Sequence, residues 1–96
     1  ADLGWSDLGT WTSVYENAEK DENLNAVKSK YALNYNSSGN IVRMQNRKKA
    51  LILDGLKDFI IVDTENALLI CPKENDQLIK EYTQDLKNHK KGEQFL

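Results

Sequence analysis

The chain has 96 residues, enough for one small domain. Its 13 basic and 15 acidic side chains leave a net charge of −2, which excludes the strongly basic face of a nucleic-acid platform and a polybasic membrane surface. There is no apolar run near twenty residues and no basic-then-apolar leader, so neither a membrane span nor a signal peptide is expected.

The chain opens on ADLGWSDLGTW, with two Trp, two Gly and two Asp in eleven residues. It begins with Ala1 rather than Met, and this abrupt start points to a segment cut from something longer. Trp11, Val14, Tyr15 and Ala18 follow the i, i+3, i+4, i+7 spacing of one helical face. Thr10 is the candidate N-cap, and Asp7 lies just ahead of the helix start, where a carboxylate suits the dipole. Residues 19–30, EKDENLNAVKSK, read as a solvated surface loop.

Tyr31, Leu33 and Tyr35 alternate along YALNY and predict a half-buried strand. A turn cluster, Asn36-Ser37-Ser38-Gly39-Asn40, precedes a second strand over Ile41–Met44. The two strands suggest a hairpin, with parallel coils as the alternative. Arg43, Arg47, Lys48 and Lys49 form a basic cluster that reads as a solvated edge, with anion binding the lesser alternative.

Residues 50–72, ALILDGLKDFIIVDTENALLICP, organise the rest. Three apolar runs at 51–53, 59–62 and 67–71 are separated by Asp54-Gly55 and by Asp63-Thr64-Glu65-Asn66, and Pro72 closes the third. Runs this short predict strands, and they are the expected core. Cys71 ends the last run and reads as a small buried hydrophobe rather than a nucleophile. Beyond it, Leu78, Ile79, Tyr82 and Leu86 share one face of an amphipathic helix. Asn75 is its candidate N-cap, Lys87, His89, Lys90 and Lys91 suit its C-terminal end, and Gly92 its stop. The single histidine, His89, has no Cys pair, second His or carboxylate cluster near it in sequence to build a metal site.

There is no G-x-S-x-G, no Walker A loop, no G-x-G-x-x-G and no paired Cys or His. Residue by residue, the chain reads as mainly β with flanking helices. The two stretches LGWSDLGTWTSVYE and LKDFIIVDTENALLICPK, in this order, resemble the C-terminal part of the mannose-1-phosphate guanylyltransferases, or GDP-mannose pyrophosphorylases. The likeness runs from Asp2 to about Lys80.

The resemblance implies an α/β nucleotidyltransferase domain followed by a small left-handed β-helix. It implies transfer of GMP from GTP to mannose 1-phosphate with Mg²⁺. The lone cysteine suits a reducing cytoplasm, and the small domain with exposed strand edges is expected to form a homo-oligomer, to which the β-helix tails of related enzymes also point. In the wider superfamily the Asp of a W-x-D-x-G-T motif is a metal ligand. Here that motif is Trp5-Ser6-Asp7-Leu8-Gly9-Thr10, which puts the role on Asp7 of the full-length enzyme. The family's Gly-rich nucleotide signature, sugar-binding segment and cupin-like isomerase domain have no counterpart in these residues, so the parent is expected to be monofunctional and the chain alone inactive. A regular hexapeptide rhythm is missing, so the coils of a short, irregular left-handed β-helix-like domain should be few. Residues 1–24 are expected to close the nucleotidyltransferase domain through a linker helix, and residues 25–96 to form the β domain with its terminal helix. The alternative is a self-contained binding or oligomerisation module that shares only the fold.

Overall fold

The computed structural model describes residues 11–29, 31–46 and 48–89. In chain order the elements are helix α1 (Trp11–Asn17) and strands β1 (Ala26–Lys28), β2 (Tyr31–Tyr35), β3 (Ile41–Met44), β4 (Ala50–Asp54), β5 (Phe59–Asp63) and β6 (Leu68–Pro72). A 3₁₀ segment (Lys73–Leu78) and helix α2 (Ile79–Asn88) follow.

The strands wind rather than fold back. β1, β3 and β5 pair in parallel in one sheet, and β2 and β4 pair in parallel in a second. From β1 to β5, strands adjacent in sequence therefore alternate between sheets, as in a β-helix. A parallel bridge between Ser38 and Lys57 marks a third side. Tyr31 pairs with Ala50, Ser38 with Lys57 and Ile41 with Ile60, each 19 residues on. Ala26 pairs with Ile41 after only 15. The four extra residues lie at one corner, where residues 44–49 take the place of residues 29–30 one coil earlier.

The other two corners are set by left-handed backbone. Leu24, Gly39 and Asp58 stack in successive coils with φ of 63°, 70° and 59°. Asn36 and Gly55 stack at the other corner with φ of 53° and 71°. One residue in this region bends the chain sharply without reversing it, and for a non-glycine residue it costs about 1 kcal/mol or more.

Beside the first of these corners, Asn25 and Asn40 form a buried ladder. Asn25 Oδ1 accepts the Asn40 backbone N–H at 2.9 Å, and Asn40 Oδ1 accepts that of Phe59 at 2.8 Å. Asn40 Nδ2 donates to Asn25 Oδ1 at 3.0 Å and to the Leu56 carbonyl at 2.9 Å, while Asn25 Nδ2 donates to the Ser37 carbonyl at 3.0 Å. Each asparagine thus ties its coil to the next where the parallel ladder breaks at the corner. Buried amides satisfied in this way specify register, because a slipped coil would strand them.

Within the sheet β1–β3–β5–β6, β3 and β5 are covered on both faces, which explains their near-continuous apolar runs, while β6 is covered on one. On one face Ile41, Ile60, Val62, Leu69 and Cys71 pack with Ile79, Tyr82 and Leu86. On the other, Val42, Met44 and Ile61 fill the coil interior with Leu53 and Leu51. β6 runs antiparallel to β5, from Asp63↔Leu68 to Phe59↔Pro72, and ends the winding.

Several expectations are met and several corrected. β4, β5 and β6 fall on the three apolar runs, and α1 on the predicted helix. The hairpin is not formed: β2 and β3 lie in different sheets. The reason is the turn cluster, whose positive-φ residues Asn36 and Gly39 make two corners instead of one reversal. β2 is a strand but is exposed along its whole length rather than half-buried: among the described residues no layer covers the outer face with Tyr31, Leu33 and Tyr35, and as an edge strand β2 leaves Ala32 and Asn34 exposed too. Residues 19–30 are not all solvated loop, since they supply β1 and the buried Asn25. The core also extends beyond residues 50–72 to Ala26, Ile41, Val42, Met44 and Ile79. Asn75 does not cap a helix: it sits inside the 3₁₀ segment at φ −100°, ψ 17°, and Leu78 precedes α2 with no side-chain cap. Asp7, Thr10, Arg47, Lys90, Lys91 and Gly92 lie outside the described residues.

Candidate functional site

A polar joint ties α1 to the β-helix. Tyr15 lies in the last turns of the short α1 and donates its hydroxyl to the Leu24 carbonyl at 2.7 Å. The acceptor belongs to the first of the stacked corner residues, so the helix is tied to a fixed point of the first coil. Lys73 Nζ stands 3.6 Å from the Tyr15 ring centroid, and Lys20 Nζ stands 4.7 Å from it. Lys73 also lies 3.8 Å from Asp58 Oδ1, the third corner residue. Burial raises the Tyr15 pKa above its ordinary value of 10.0, with the nearby Asp58 and Asp21 carboxylates adding to the rise. The phenol therefore stays protonated as a donor. Asp21 closes its own turn by accepting the N–H groups of Asn23 and Asn25 at 2.9 and 3.0 Å. This joint is built to hold a helix in position rather than to react.

The remaining candidates separate cleanly. Cys71 is buried, and burial, with a smaller contribution from Asp76, raises its thiol above its ordinary value of 9.0. It is a core residue, as expected from sequence. His89 is exposed, in extended backbone just beyond α2. Of the basic cluster, Lys49 is paired with Asp63 at 3.0 Å, beside a polar cleft of about 420 Å³ shared with Gln45, Thr64 and Glu65. Two carboxylates in that cleft make it a poor anion site. Among the described residues no group of three or more His, Cys, Asp or Glu side chains could hold a metal ion, and no helix is long and apolar enough to cross a membrane.

Among the described residues two apolar surfaces stay open. Tyr31, Leu33, Tyr35 and Ile52 cover the outer face of β2 and β4, each more than half exposed. A groove of about 590 Å³ follows β6 and is flanked by Tyr82 and Leu86 of α2. Sequence reading missed the asparagine ladder. The signal was present as an Asn directly before an apolar pair, at Asn25-Ala26-Val27 and again at Asn40-Ile41-Val42.

The family described as MannoseP isomerase/GMP-like beta-helix domain matches residues 31–86. The chain belongs to that family. The matched span of this β-helix domain runs from the start of β2 into α2, so it includes the later coils, the reversing strand and the covering helix. Among its relatives, a mannose-1-phosphate guanylyltransferase of Klebsiella pneumoniae is 33% identical over 96% of the chain and 19% of the relative. The alginate biosynthesis protein AlgA of Pseudomonas putida is 34% identical over 86% of the chain and 16% of that protein. The crystal structure of a mannose-1-phosphate geranyltransferase from Thermus thermophilus superposes on 84% of the chain with a TM-score of 0.66 at 17% identity, matching 24% of its own length. The chain thus spans about a fifth of the length of these curated relatives. The expected mainly β, β-helix-like fold with a C-terminal helix is the one found.

Proposed function

We propose that this chain is the C-terminal β-helical part of a cytoplasmic nucleotidyltransferase that makes GDP-mannose and pyrophosphate from GTP and mannose 1-phosphate. Within that enzyme its own role is structural: it supports the end of the catalytic domain and takes part in homo-oligomer assembly. The family match over residues 31–86 carries the reading, together with the guanylyltransferase names of its relatives. The joint at Tyr15 supports it physically. α1 starts four residues after Asp7, and the joint fixes α1 to the first coil.

In the full-length enzyme Asp7 is the proposed Mg²⁺ ligand. A carboxylate is the hard oxygen donor that this ion takes, usually one or two at a time alongside substrate phosphates. The ion would offset phosphate charge during transfer. The test uses purified full-length polypeptide with GTP, mannose 1-phosphate and Mg²⁺, following GDP-mannose and pyrophosphate. Turnover is expected from it and none from the 96-residue chain alone. Asp7→Asn should lower kcat by orders of magnitude while leaving the protein folded. Turnover by the isolated chain, an inactive full-length enzyme, or near wild-type activity of Asp7→Asn would each overturn the corresponding part.

A further inference from the structure

The sheet β1–β3–β5–β6 has two edges, and they differ in kind. β1 is only three residues long. Shortness is one of the usual protections of an edge. β6 is five residues long, Leu-Leu-Ile-Cys-Pro, and carries no charge. Its pairing with β5 fixes which backbone groups are free. Thr64 N–H donates to the Ala67 carbonyl at 2.9 Å and Lys73 N–H to the Asp58 carbonyl at 2.8 Å. Bonding alternates along an antiparallel pair, so residues 67, 69, 71 and 73 bond towards β5. The N–H and C=O groups of Leu68 and Ile70, and the carbonyl of Pro72, therefore turn to the outer edge, which is free among the described residues. Leu68 and Ile70 also expose 56% and 58% of their surface. The groove beside α2 runs along this same edge.

We infer that the free edge of β6 is the contact between two copies of this chain, paired antiparallel about a twofold axis so that two four-stranded sheets continue as one. This deepens the assembly role proposed above and rests on it. A strand placed beside itself by a twofold axis is its own antiparallel partner. With Leu68 opposite Ile70 of the other copy, both outward N–H groups of each strand meet a carbonyl, and Pro72, which has no N–H, falls outside those bonds. The strand presents only uncharged residues to its copy, so no like charges meet across the pair. α2 packs on one face of this sheet, so the twofold sets the two helices side by side with their Tyr82 and Leu86 rims along the seam. The exposed residues of α2 mix Lys80 and Lys87 with Glu81 and Asp85, and build no repelling field between the helices. The outer face of β2 and β4 is a separate apolar surface on the other sheet, and Ile52 on it serves as the control below.

The test is sedimentation velocity of the full-length polypeptide that carries this segment, with amide hydrogen exchange on the same samples. The wild type should sediment as an oligomer containing the dimer contact, with the Leu68 and Ile70 amides protected. Ile70→Lys adds charge at an exposed position, so it should leave the circular dichroism unchanged, weaken association at least tenfold and expose both amides to fast exchange. Ile52→Lys, on the other sheet, should change neither. A monomeric wild type, an Ile70→Lys variant that stays associated, or dissociation by Ile52→Lys instead overturns the contact. A monomeric wild type with protected edge amides would assign the edge to another segment of the same polypeptide. Transferase activity is read separately: an active monomer overturns only the β6 contact, and an inactive dimer overturns only the catalytic reading of the parent.

Discussion

Replacing Asn40 with alanine tests the idea that the asparagine ladder, more than any single apolar contact, holds the coils in register. The side chain is fully buried and takes part in three hydrogen bonds: from Phe59 N–H at 2.8 Å, to Asn25 Oδ1 at 3.0 Å and to the Leu56 carbonyl at 2.9 Å. Alanine leaves the Phe59 N–H without its acceptor, and a buried orphan of that kind costs about 1–3 kcal/mol. The Leu56 carbonyl loses its donor at the same time. Asn25 Oδ1 keeps one bond, from the Asn40 backbone N–H, so its loss is partial. Adding a small void where the amide stood, the expected destabilisation is roughly 3 kcal/mol, a large part of the stability of a domain this size. Urea unfolding followed by circular dichroism reads it as a lower midpoint at unchanged slope. Asn40→Asp sharpens the test. It keeps the oxygen that accepts from Phe59 but turns the donor into a second oxygen facing the Leu56 carbonyl and Asn25 Oδ1. It should therefore destabilise more at about pH 7 than near pH 4, where the carboxyl can protonate and donate again. A loss below about 1 kcal/mol for Asn40→Ala, or a pH-independent Asn40→Asp, would refute the reasoning.

The corners make a second comparison. Gly39→Ala sets a Cβ against Asp58 Oδ1 at positive φ, whereas Gly55→Ala meets nothing within 4 Å. Gly55→Ala should cost about 1 kcal/mol for the left-handed backbone alone, and Gly39→Ala clearly more in the same unfolding assay. Lys73→Met should loosen α1 by about 1 kcal/mol through loss of the cation over the Tyr15 ring, seen as faster amide exchange in residues 11–17, and Lys73→Arg should largely restore it. Cys71 and Tyr15 both have pKa values raised by folding, so the native state holds their protons more tightly than the unfolded chain. Their contribution is complete below the unfolded values, near 9.0 and 10.0, and is lost as pH climbs through the raised folded values. Stability should fall above about pH 9, and Cys71→Ala should flatten the first part of that fall. A thiol reagent at neutral pH should label Cys71 only under unfolding conditions, and rapid native-state labelling would contradict its burial.

The parts of the fold that were legible in the sequence are those set by local chemistry. Short apolar runs between turn formers located β4, β5 and β6, and helical spacing located α1 and the apolar face of α2. The pairing was not local. A strand that bonds to one 19 residues away leaves no mark in its immediate neighbours, and Tyr31–Tyr35 followed by a turn and Ile41–Met44 has the appearance of a hairpin. Only the spacing of the two left-handed residues, Asn36 and Gly39, separates two corners from one reversal. Alternation of Tyr31, Leu33 and Tyr35 identified a face correctly but carried no information on whether anything covers it. The candidate metal ligand, Asp7, came from a motif rather than from geometry, and it lies outside the described residues. The helix joint could not be read in advance, because Tyr15, Leu24, Asp58 and Lys73 are distant in sequence and meet only once the coils have wound.

The uneven corner at residues 44–49 has a practical consequence. The coil there is four residues longer than the one before it, yet β1, β3 and β5 stay paired in parallel across both coils, at spacings of 15 and then 19. Length at that point is decoupled from alignment elsewhere. A protein engineer looking for a place to graft a recognition peptide, an epitope tag or a fluorophore attachment sequence should therefore choose residues 45–48. An equal insertion at the 36–40 corners would pull Asn40 out from under Phe59. Natural descendants of this domain should show the same bias, with additions and deletions gathering at the permissive corner and avoiding the two left-handed ones.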